Sequence, residues 1–413
     1  MTSRSPMGAL LACSAALWLG AGQARANEAI PATLAQAFKQ AWSQQAEGAA
    51  APARRDAAQG RKNAAGAWTA APPVLELSGR SDRLNRNQGS REIELGVSAA
   101  LWLPGERQLT LALADAELGA LDSRQLAARW RLAGAVREAW WALQLAALDQ
   151  QSAQTRITAA AQLARDVTRR VAAGDLSRAD QHQADAAVAT AEAEAAQAQA
   201  ALAQAAQTLR SWGLAPDLAR QDMALPEPNP EARELEAAHP ALRELSDRAR
   251  LAERSLALAS RQRRGNPELL LSTTRQRASH GESSAQTVML GLRIPFGSAG
   301  AHQARQAGAS ADQIEAQTLL ALEQRRLRAE VESAQARLTA ARAGAEAAAR
   351  RAILARETRG FIEKAFRLGE ADLPSRLRVE QEAFEAERQQ ARAGIGVSQA
   401  ISALRQALGL LPL

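Results

Sequence analysis

The side chains that most often perform catalysis or bind metals are few and scattered in this sequence. The chain of 413 residues has one cysteine and four histidines, which are His182, His239, His280 and His302. No HExxH, GxSxG or P-loop pattern occurs. Acidic residues are spread among arginines, as on a solvated helix face. The sequence therefore predicts a protein that is not an enzyme and that has neither a cofactor nor a metal site.

Two short acidic segments have the spacing of helix caps. They are residues 174–177 (GDLS) and residues 369–373 (GEADL). In each segment a glycine can end one helix in the left-handed conformation, and Ser177 or Asp372 can cap the next helix. Pro374 falls in the first turn of that next helix, where proline is tolerated. Spacing alone favours this structural role over contact with a partner.

The residues on either side of these two segments are predicted to form long helices. Residues 106–172 contain no proline and little glycine, a length of about 100 Å if fully helical. Residues 301–368 have the same character. After each acidic segment a second helix is predicted, at about 178–212 and about 374–408. Alanine dominates the first of these returning helices and permits close approach. The pattern predicts two long antiparallel helical hairpins.

Ahead of each hairpin, the sequence predicts a pair of β-strands. The second strand of the first pair has apolar residues on one face, namely Ile93, Leu95, Val97, Ala99, Leu101 and Leu103. Its counterpart has Val288, Leu290, Leu292, Ile294 and Phe296. The partner strands are predicted at about 74–81 and 268–275. Period-two alternation over about ten residues has the length and pattern of a transmembrane strand. Each pair in isolation also fits a soluble hairpin packed on helices.

These elements occur twice, about 190 residues apart, which indicates an internal repeat. The predicted repeats are residues 27–214 and 231–413, each with a helix, a strand pair at about 74–103 or 268–296, and a helical hairpin. The segment between them, residues 215–230, has four prolines and is predicted to be a linker.

Residues 1–26 read as a secretory signal peptide. Arg4 supplies the positive end, residues 7–22 are apolar, and Ala24-Arg25-Ala26 is a cleavage site of the A-x-A type. Cys13 lies within the apolar stretch, and the apolar residues that follow it favour ordinary cleavage over lipidation. We therefore expect export to the periplasm, the outer membrane or the exterior.

In this combined order the chain resembles the TolC-type outer-membrane efflux proteins. Residues 239–242 (HPAL) and 366–373 (FRLGEADL) are also similar to sequence motifs of that family. The resemblance implies a mainly helical homotrimer in the outer membrane, with most of the chain in the periplasm. Each protomer would give four strands to a twelve-stranded β-barrel. Its helices would form a hollow α-barrel. A departure from the family is the complete lack of tyrosine.

The resemblance also implies the partners and a docking site. A periplasmic adaptor would join this passive conduit to an inner-membrane RND-type transporter. The implied docking tips consist of Gly174, Asp175, Leu176, Ser177, Gly369, Glu370, Asp372 and Leu373. Asp180 and Asp185 could line the entrance. Residues 101–105 (LWLPG) are similar to the CzcC-like heavy-metal branch, which would make heavy-metal cations the cargo.

One further class of protein shares several of these features. A soluble periplasmic coiled-coil adaptor or scaffold would also have a signal peptide and helical hairpins, but would not need two strand pairs with alternating faces. A nucleic-acid-binding protein is not expected, because the formal net charge of +7 is spread along the chain among acidic residues.

Overall fold

The computed structural model describes residues 34–85, 87–216, 226–230, 238–297 and 299–412. The predicted signal peptide and Cys13 lie outside these residues. The described helices are α1 (Leu34–Ser43), α2 (Ala46–Ala65), α3 (Glu106–Ala173), α4 (Arg178–Ser211), α5 (Pro240–Arg261), α6 (Ala299–Leu368) and α7 (Leu373–Ala407). The described strands are β1 (Val74–Ser81), β2 (Arg91–Ala100), β3 (Glu268–Arg277) and β4 (Ala285–Arg293).

Two long helical hairpins dominate the molecule. Helix α3 has 68 residues and α6 has 70, so each is about 100 Å long. Helix α3 packs along α4 and α6 along α7, while contacts between α3 and α7 place the hairpins side by side. Buried alanines, such as Ala184 in α4 and Ala383 in α7, allow this close packing. None of the described helices is apolar enough over a sufficient length to cross a bilayer.

The four strands form one antiparallel sheet in the order β1-β2-β3-β4. The central pairing of β2 with β3 joins the two halves of the chain, with Val97 opposite Leu271. Strands β1 and β4 each have one edge without a partner among the described residues. The predicted fold class, long antiparallel helical hairpins with a small β part of four strands, is therefore confirmed.

Glu106 ties the sheet to the helices. Its carboxylate is buried at the start of α3, and it accepts hydrogen bonds from the Leu103 amide at 2.9 Å and from Asn266 and Gln262 at 2.6 Å each. Both halves of the chain contribute donors. This shared carboxylate fixes the direction in which α3 leaves the sheet.

A compact core of large side chains lies near the middle of the hairpins. Trp140 and Leu143 of α3 pack there against Phe38 of α1 and Leu209 of α4. Trp141 also belongs to this core, and its indole N–H donates to Ser402 Oγ at 3.0 Å. The tryptophans thus supply much of the aromatic core that an alanine-rich chain otherwise lacks.

Residues 226–230, a described part of the segment predicted to be a linker, are held by a buried ion cluster. Glu227 pairs with Arg137 of α3 at 2.7 Å and with Arg405 of α7 at 3.1 Å. All three side chains are almost completely buried. Because buried charges are costly without partners, this cluster anchors residues 226–230 firmly to both hairpins.

Several element boundaries differ from the sequence-based predictions. The first helical stretch divides at Gln44–Gln45, whereas Pro52 lies inside α2. Among the described residues, the helix predicted from residue 231 is present from Pro240. Strand β2 ends at Ala100 rather than at Leu103. The reason is local, since Trp102 turns to donate its indole N–H to Ala67 O and proline follows at position 104.

Strand β4 likewise ends early, at Arg293 rather than at Phe296. Pro295 has no amide hydrogen to continue the ladder.

Candidate functional site

The first helical tip, between α3 and α4, is a compact double cap. Gly174 has φ of +86°, and its amide donates to Val171 O at 3.1 Å, while the Asp175 amide donates to Arg170 O at 2.9 Å. This is the hydrogen-bond pattern of a Schellman cap. Ser177 then starts α4 as the N-cap. The capping role predicted from the sequence is confirmed.

Asp180 completes this cap. Its amide donates to Ser177 Oγ at 3.2 Å, and its carboxylate accepts from the Ser177 amide at 2.9 Å. The hydrogen bonds from the Ser177 side chain and backbone lower the pKa of Asp180. The carboxylate is therefore ionised at neutral pH. Asp185 is exposed on the next turn of α4.

The second tip, between α6 and α7, repeats the same construction. Gly369 has φ of +80°, with its amide bonded to Phe366 O at 3.2 Å and the Glu370 amide bonded to Ala365 O at 2.9 Å. Asp372 caps α7 by accepting from the Ser375 amide at 3.1 Å. Hydrogen bonding from Ser375 lowers the pKa of Asp372.

The two tips lie beside each other and are joined by a shared core. Phe366 is 1% exposed, and two guanidinium groups lie against its ring, Arg170 at 4.8 Å and Arg376 at 4.7 Å from the ring centre. Arg170 also donates to Phe366 O at 3.2 Å. Because Arg170 belongs to the first hairpin and Phe366 to the second, these contacts couple the tips.

Most of the predicted tip residues are accessible, but one is not. Gly174, Asp175 and Ser177 are exposed, as are Gly369, Glu370 and Asp372, and Leu176 is half-buried. Leu373 is only 1% exposed, since it packs into the core beneath the tips. Leu373 therefore supports the tip from within rather than presenting a surface. Sequence reasoning could not separate its role from that of Leu176.

At the opposite end of the long helices, the sheet has two chemically different faces. The strand register places Leu75, Leu77, Ile93, Leu95, Val97, Leu269, Leu271, Val288, Leu290 and Leu292 on one face. All ten are exposed, up to 74% for Leu77. This apolar face is the reverse of a soluble sheet, which would cover such residues.

The other face of the sheet is polar and carries four glutamates. Glu92 pairs with Arg80 at 3.4 Å, and Glu268 pairs with Arg293 at 3.1 Å. Glu76 and Glu94 have no ion-pair partner among the described residues. These two line a notch of about 60 Å³ on the polar face.

The floor and walls of this notch come from neighbouring strands. Gly96 lies opposite both Glu76 and Ser272, and Ser272 lies opposite Met289. Ser272 is buried, and its hydroxyl has no hydrogen-bond partner among the described residues. Within the described strands, the polar face carries four glutamates but only two arginines, Arg80 and Arg293. Its net negative charge favours cations over anions at its surface.

The histidines do not gather into a site. His239 caps α5 through its Nδ1, which accepts from the Ala241 amide at 3.2 Å, and its ring packs edge-on against Trp130 at 4.9 Å. Burial lowers the pKa of His239 to about 4. Among the described residues, no three His, Cys, Asp or Glu side chains form a group that could hold a metal ion.

Comparison with known proteins gives a consistent result for the fold. No family model matches the chain, and no curated protein matches it. Solved structures do match. The outer-membrane protein VceC of Vibrio cholerae is 19% identical with a TM-score of 0.74, over 91% of this chain and 96% of that one. CusC is 17% identical with a TM-score of 0.73, over 92% and 93% of the chains.

A third match is the open state of the MtrE outer-membrane channel of Neisseria gonorrhoeae. It is 15% identical with a TM-score of 0.68, over 92% of this chain and 89% of that one. The chain therefore has the fold of solved outer-membrane channel proteins along almost its whole length. The resemblance seen in the sequence is confirmed at the level of the fold.

Proposed function

We propose that this protein is a TolC-type outer-membrane channel, a passive conduit for efflux from the periplasm to the exterior. The observation that carries the proposal is the sheet, whose apolar face is exposed and whose polar face is lined by glutamates. Helices about 100 Å long run from one end of this sheet, a length that suits a tube across the periplasm.

The proposed channel is a homotrimer. Among the described residues, the outer edges of β1 and β4 are unpaired, and their hydrogen-bonding groups need partners in a membrane. Pairing β4 of one copy with β1 of the next closes a barrel, and three copies supply twelve strands. Helix α6 also exposes large apolar side chains, which are Ile314, Leu322, Ile353, Leu354, Phe361 and Leu368. A neighbouring copy would cover them.

The membrane boundary is proposed at the ends of the apolar face. Phe296 and Trp68 are each 93% exposed near the helical end of the sheet. Aromatic side chains in this position suit the membrane–water interface. Strand β4 has nine residues, Ala285–Arg293, and a tilted strand of about 9–11 residues is long enough to cross a bilayer.

The proposed partners dock at the helical tips, far from the membrane. A periplasmic adaptor would contact Gly174, Asp175, Ser177, Gly369 and Glu370, and would connect the conduit to an inner-membrane RND-type transporter. Asp180 and Asp185 would line the entrance, and Asp372 would belong to the docking tip. Opening would separate the tips and therefore loosen the contacts of Arg170 with Phe366.

The proposed cargo is cationic, with heavy-metal ions among the candidates. Support comes from Glu76 and Glu94, which have no ion-pair partner in the described part of the chain and lie on the face that would line the lumen. The similarity of residues 101–105 (LWLPG) to the heavy-metal branch of TolC-type proteins also supports metal ions as the cargo. We also propose that the chain consists of two structural repeats, 27–214 and 231–413, joined by the linker and preceded by a signal peptide at 1–26.

Adjacent residues of β4 test the proposed membrane face. Leu290→Arg places a charge on the outward face near the middle of the strand, where arginine costs about 2–4 kcal/mol in a barrel. Met289→Arg places the same charge on the inward face one residue away. We expect Leu290→Arg to lower the amount of protein in the outer-membrane fraction strongly, while Met289→Arg assembles and conducts in planar bilayers.

The alternative of a soluble periplasmic scaffold predicts a different result. Wild-type protein would appear in the soluble periplasmic fraction without conductance, and the two variants would behave alike. That outcome would refute the channel.

A further inference from the structure

Three arginines form a distinct group on the outward face of the sheet. The register places Arg91 directly opposite Arg277, and Arg275 directly opposite Ile93. Because Ile93 is on the exposed apolar face, all three arginines lie on that face. They are at the loop end of β2 and β3, away from the helices.

Within the four described strands, these arginines are the charged residues of the outward face. The register assigns Glu76, Glu92, Glu94 and Glu268, together with Arg80 and Arg293, to the polar face. The helical end of the outward face has Leu269 and Leu292 instead. The two ends of the apolar face therefore differ in charge.

The positive charges of these three arginines repel one another. Like charges directly opposite on one face of a sheet are destabilising, and Arg91 and Arg277 have this arrangement. In the described part of the chain, no ion pair involves Arg91, Arg275 or Arg277. An external anion between the guanidinium groups would remove this repulsion.

The loops hold the group in place. Arg277 is half-buried, and its Nε donates to Gly89 O at 3.2 Å. Gly89 has φ of +95° and lies against His280, where a Cβ would come within 2.5 Å of the His280 amide nitrogen. The His280 amide donates to Gln88 O at 2.9 Å. The two hairpin loops therefore pack against each other beside Arg277.

We propose that Arg91, Arg275 and Arg277 bind phosphate groups of lipopolysaccharide, the phosphorylated glycolipid of the outer leaflet. This inference rests on the proposed function, since it needs the apolar face in the membrane with the hairpin loops outside. Guanidinium groups suit phosphate because they offer paired donors and a permanent charge. The three arginines lie just beyond Ile93 and Val288 along the strands, which would place them at the depth of the lipid headgroups of the outer leaflet.

The test compares the purified protein with a triple variant, Arg91→Gln/Arg275→Gln/Arg277→Gln. Each is placed in phosphatidylcholine nanodiscs and titrated with lipopolysaccharide, with dephosphorylated lipopolysaccharide, or with inorganic phosphate. A matched control removes three exposed helix arginines, as Arg325→Gln/Arg337→Gln/Arg350→Gln.

We expect wild type and control to bind lipopolysaccharide alike, and the triple variant to bind about 100-fold more weakly, from roughly five-fold per arginine. Dephosphorylated lipopolysaccharide should bind wild type as weakly as the variant. Equal binding by wild type and triple variant would overturn the proposal. So would equal binding of the two glycolipid forms, or inorganic phosphate that matches lipopolysaccharide.

Failure of this site is distinguishable from failure of the channel. If only the site is wrong, wild type and triple variant both fractionate with the outer membrane and conduct, and they bind the glycolipid equally. If the channel is wrong, wild type itself neither fractionates with the membrane nor conducts.

Discussion

The tip glycines allow the docking proposal to be tested separately from folding. Gly174 and Gly369 have left-handed φ values of +86° and +80°, and a Cβ at either position would meet nothing within 4 Å. A substitution there is consequently opposed by backbone strain rather than by a clash. For a β-branched residue the strain is at least about 1–2 kcal/mol per site, or about 2–4 kcal/mol for both.

That strain acts on two exposed turns, whereas the core of Trp140 and Leu143 lies near the middle of the hairpins. The double variant Gly174→Val/Gly369→Val should therefore reach the outer membrane in nearly normal amounts but lose its tip geometry. We expect loss of efflux, measured as cargo sensitivity of cells that depend on the channel, and loss of adaptor binding to the purified protein. Conductance of the isolated channel should persist.

Two control variants distinguish the loss of the tip backbone geometry from the mere addition of side-chain atoms. Gly174→Asn/Gly369→Asn adds side chains that tolerate the left-handed region, so efflux should largely survive. Gly344→Ala lies inside α6 with nothing near its Cβ, and should stabilise the helix by about 0.5–1 kcal/mol without affecting efflux. Normal efflux in the valine double variant at normal membrane levels would refute the docking role of the tips.

Three other perturbations have expected outcomes. Glu227→Gln leaves two buried arginines without their carboxylate, so urea denaturation in detergent should show a loss of about 3–5 kcal/mol; a loss below about 1 kcal/mol would show that the cluster does not anchor the linker. Because burial lowers the pKa of His239 from 6.5 to about 4, its stabilising neutral form is fully present above pH 6.5 and is progressively disfavoured as pH falls towards 4. His239→Gln should thus flatten the decrease in Tm over that range, and an unchanged pH profile would contradict this assignment. Glu76→Gln/Glu94→Gln should lower the cation-to-anion permeability ratio in planar bilayers, whereas an unaltered reversal potential would exclude these glutamates from the lumen.

The features that local spacing determines were predictable from the sequence. Ser177 and Asp372 cap helices as expected, because their side chains reach amides only three residues away. The alternation in β2 and β4 also identified the two faces of the sheet correctly. The long helices follow from the near-absence of glycine and proline, so their boundaries agree to within one or two residues.

Features that depend on distant contacts were not predictable. At the helix break after α1, the Gln44 side chain donates to Gly213 O at 3.3 Å, a contact with a residue far along the chain. The burial of Leu373 depends on the neighbouring hairpin. Glu227 lies in a proline-rich segment that looks exposed in sequence, and only its two distant arginine partners explain its burial.

The central claim is that three copies of this chain form one tube that ends in a membrane barrel. Single-particle imaging of the protein extracted from outer membranes tests it most directly. We predict a three-fold particle with a helical tube about 100 Å long below a short barrel of twelve strands. A soluble monomer or dimer, absent from the membrane fraction, would contradict the channel and favour a periplasmic scaffold.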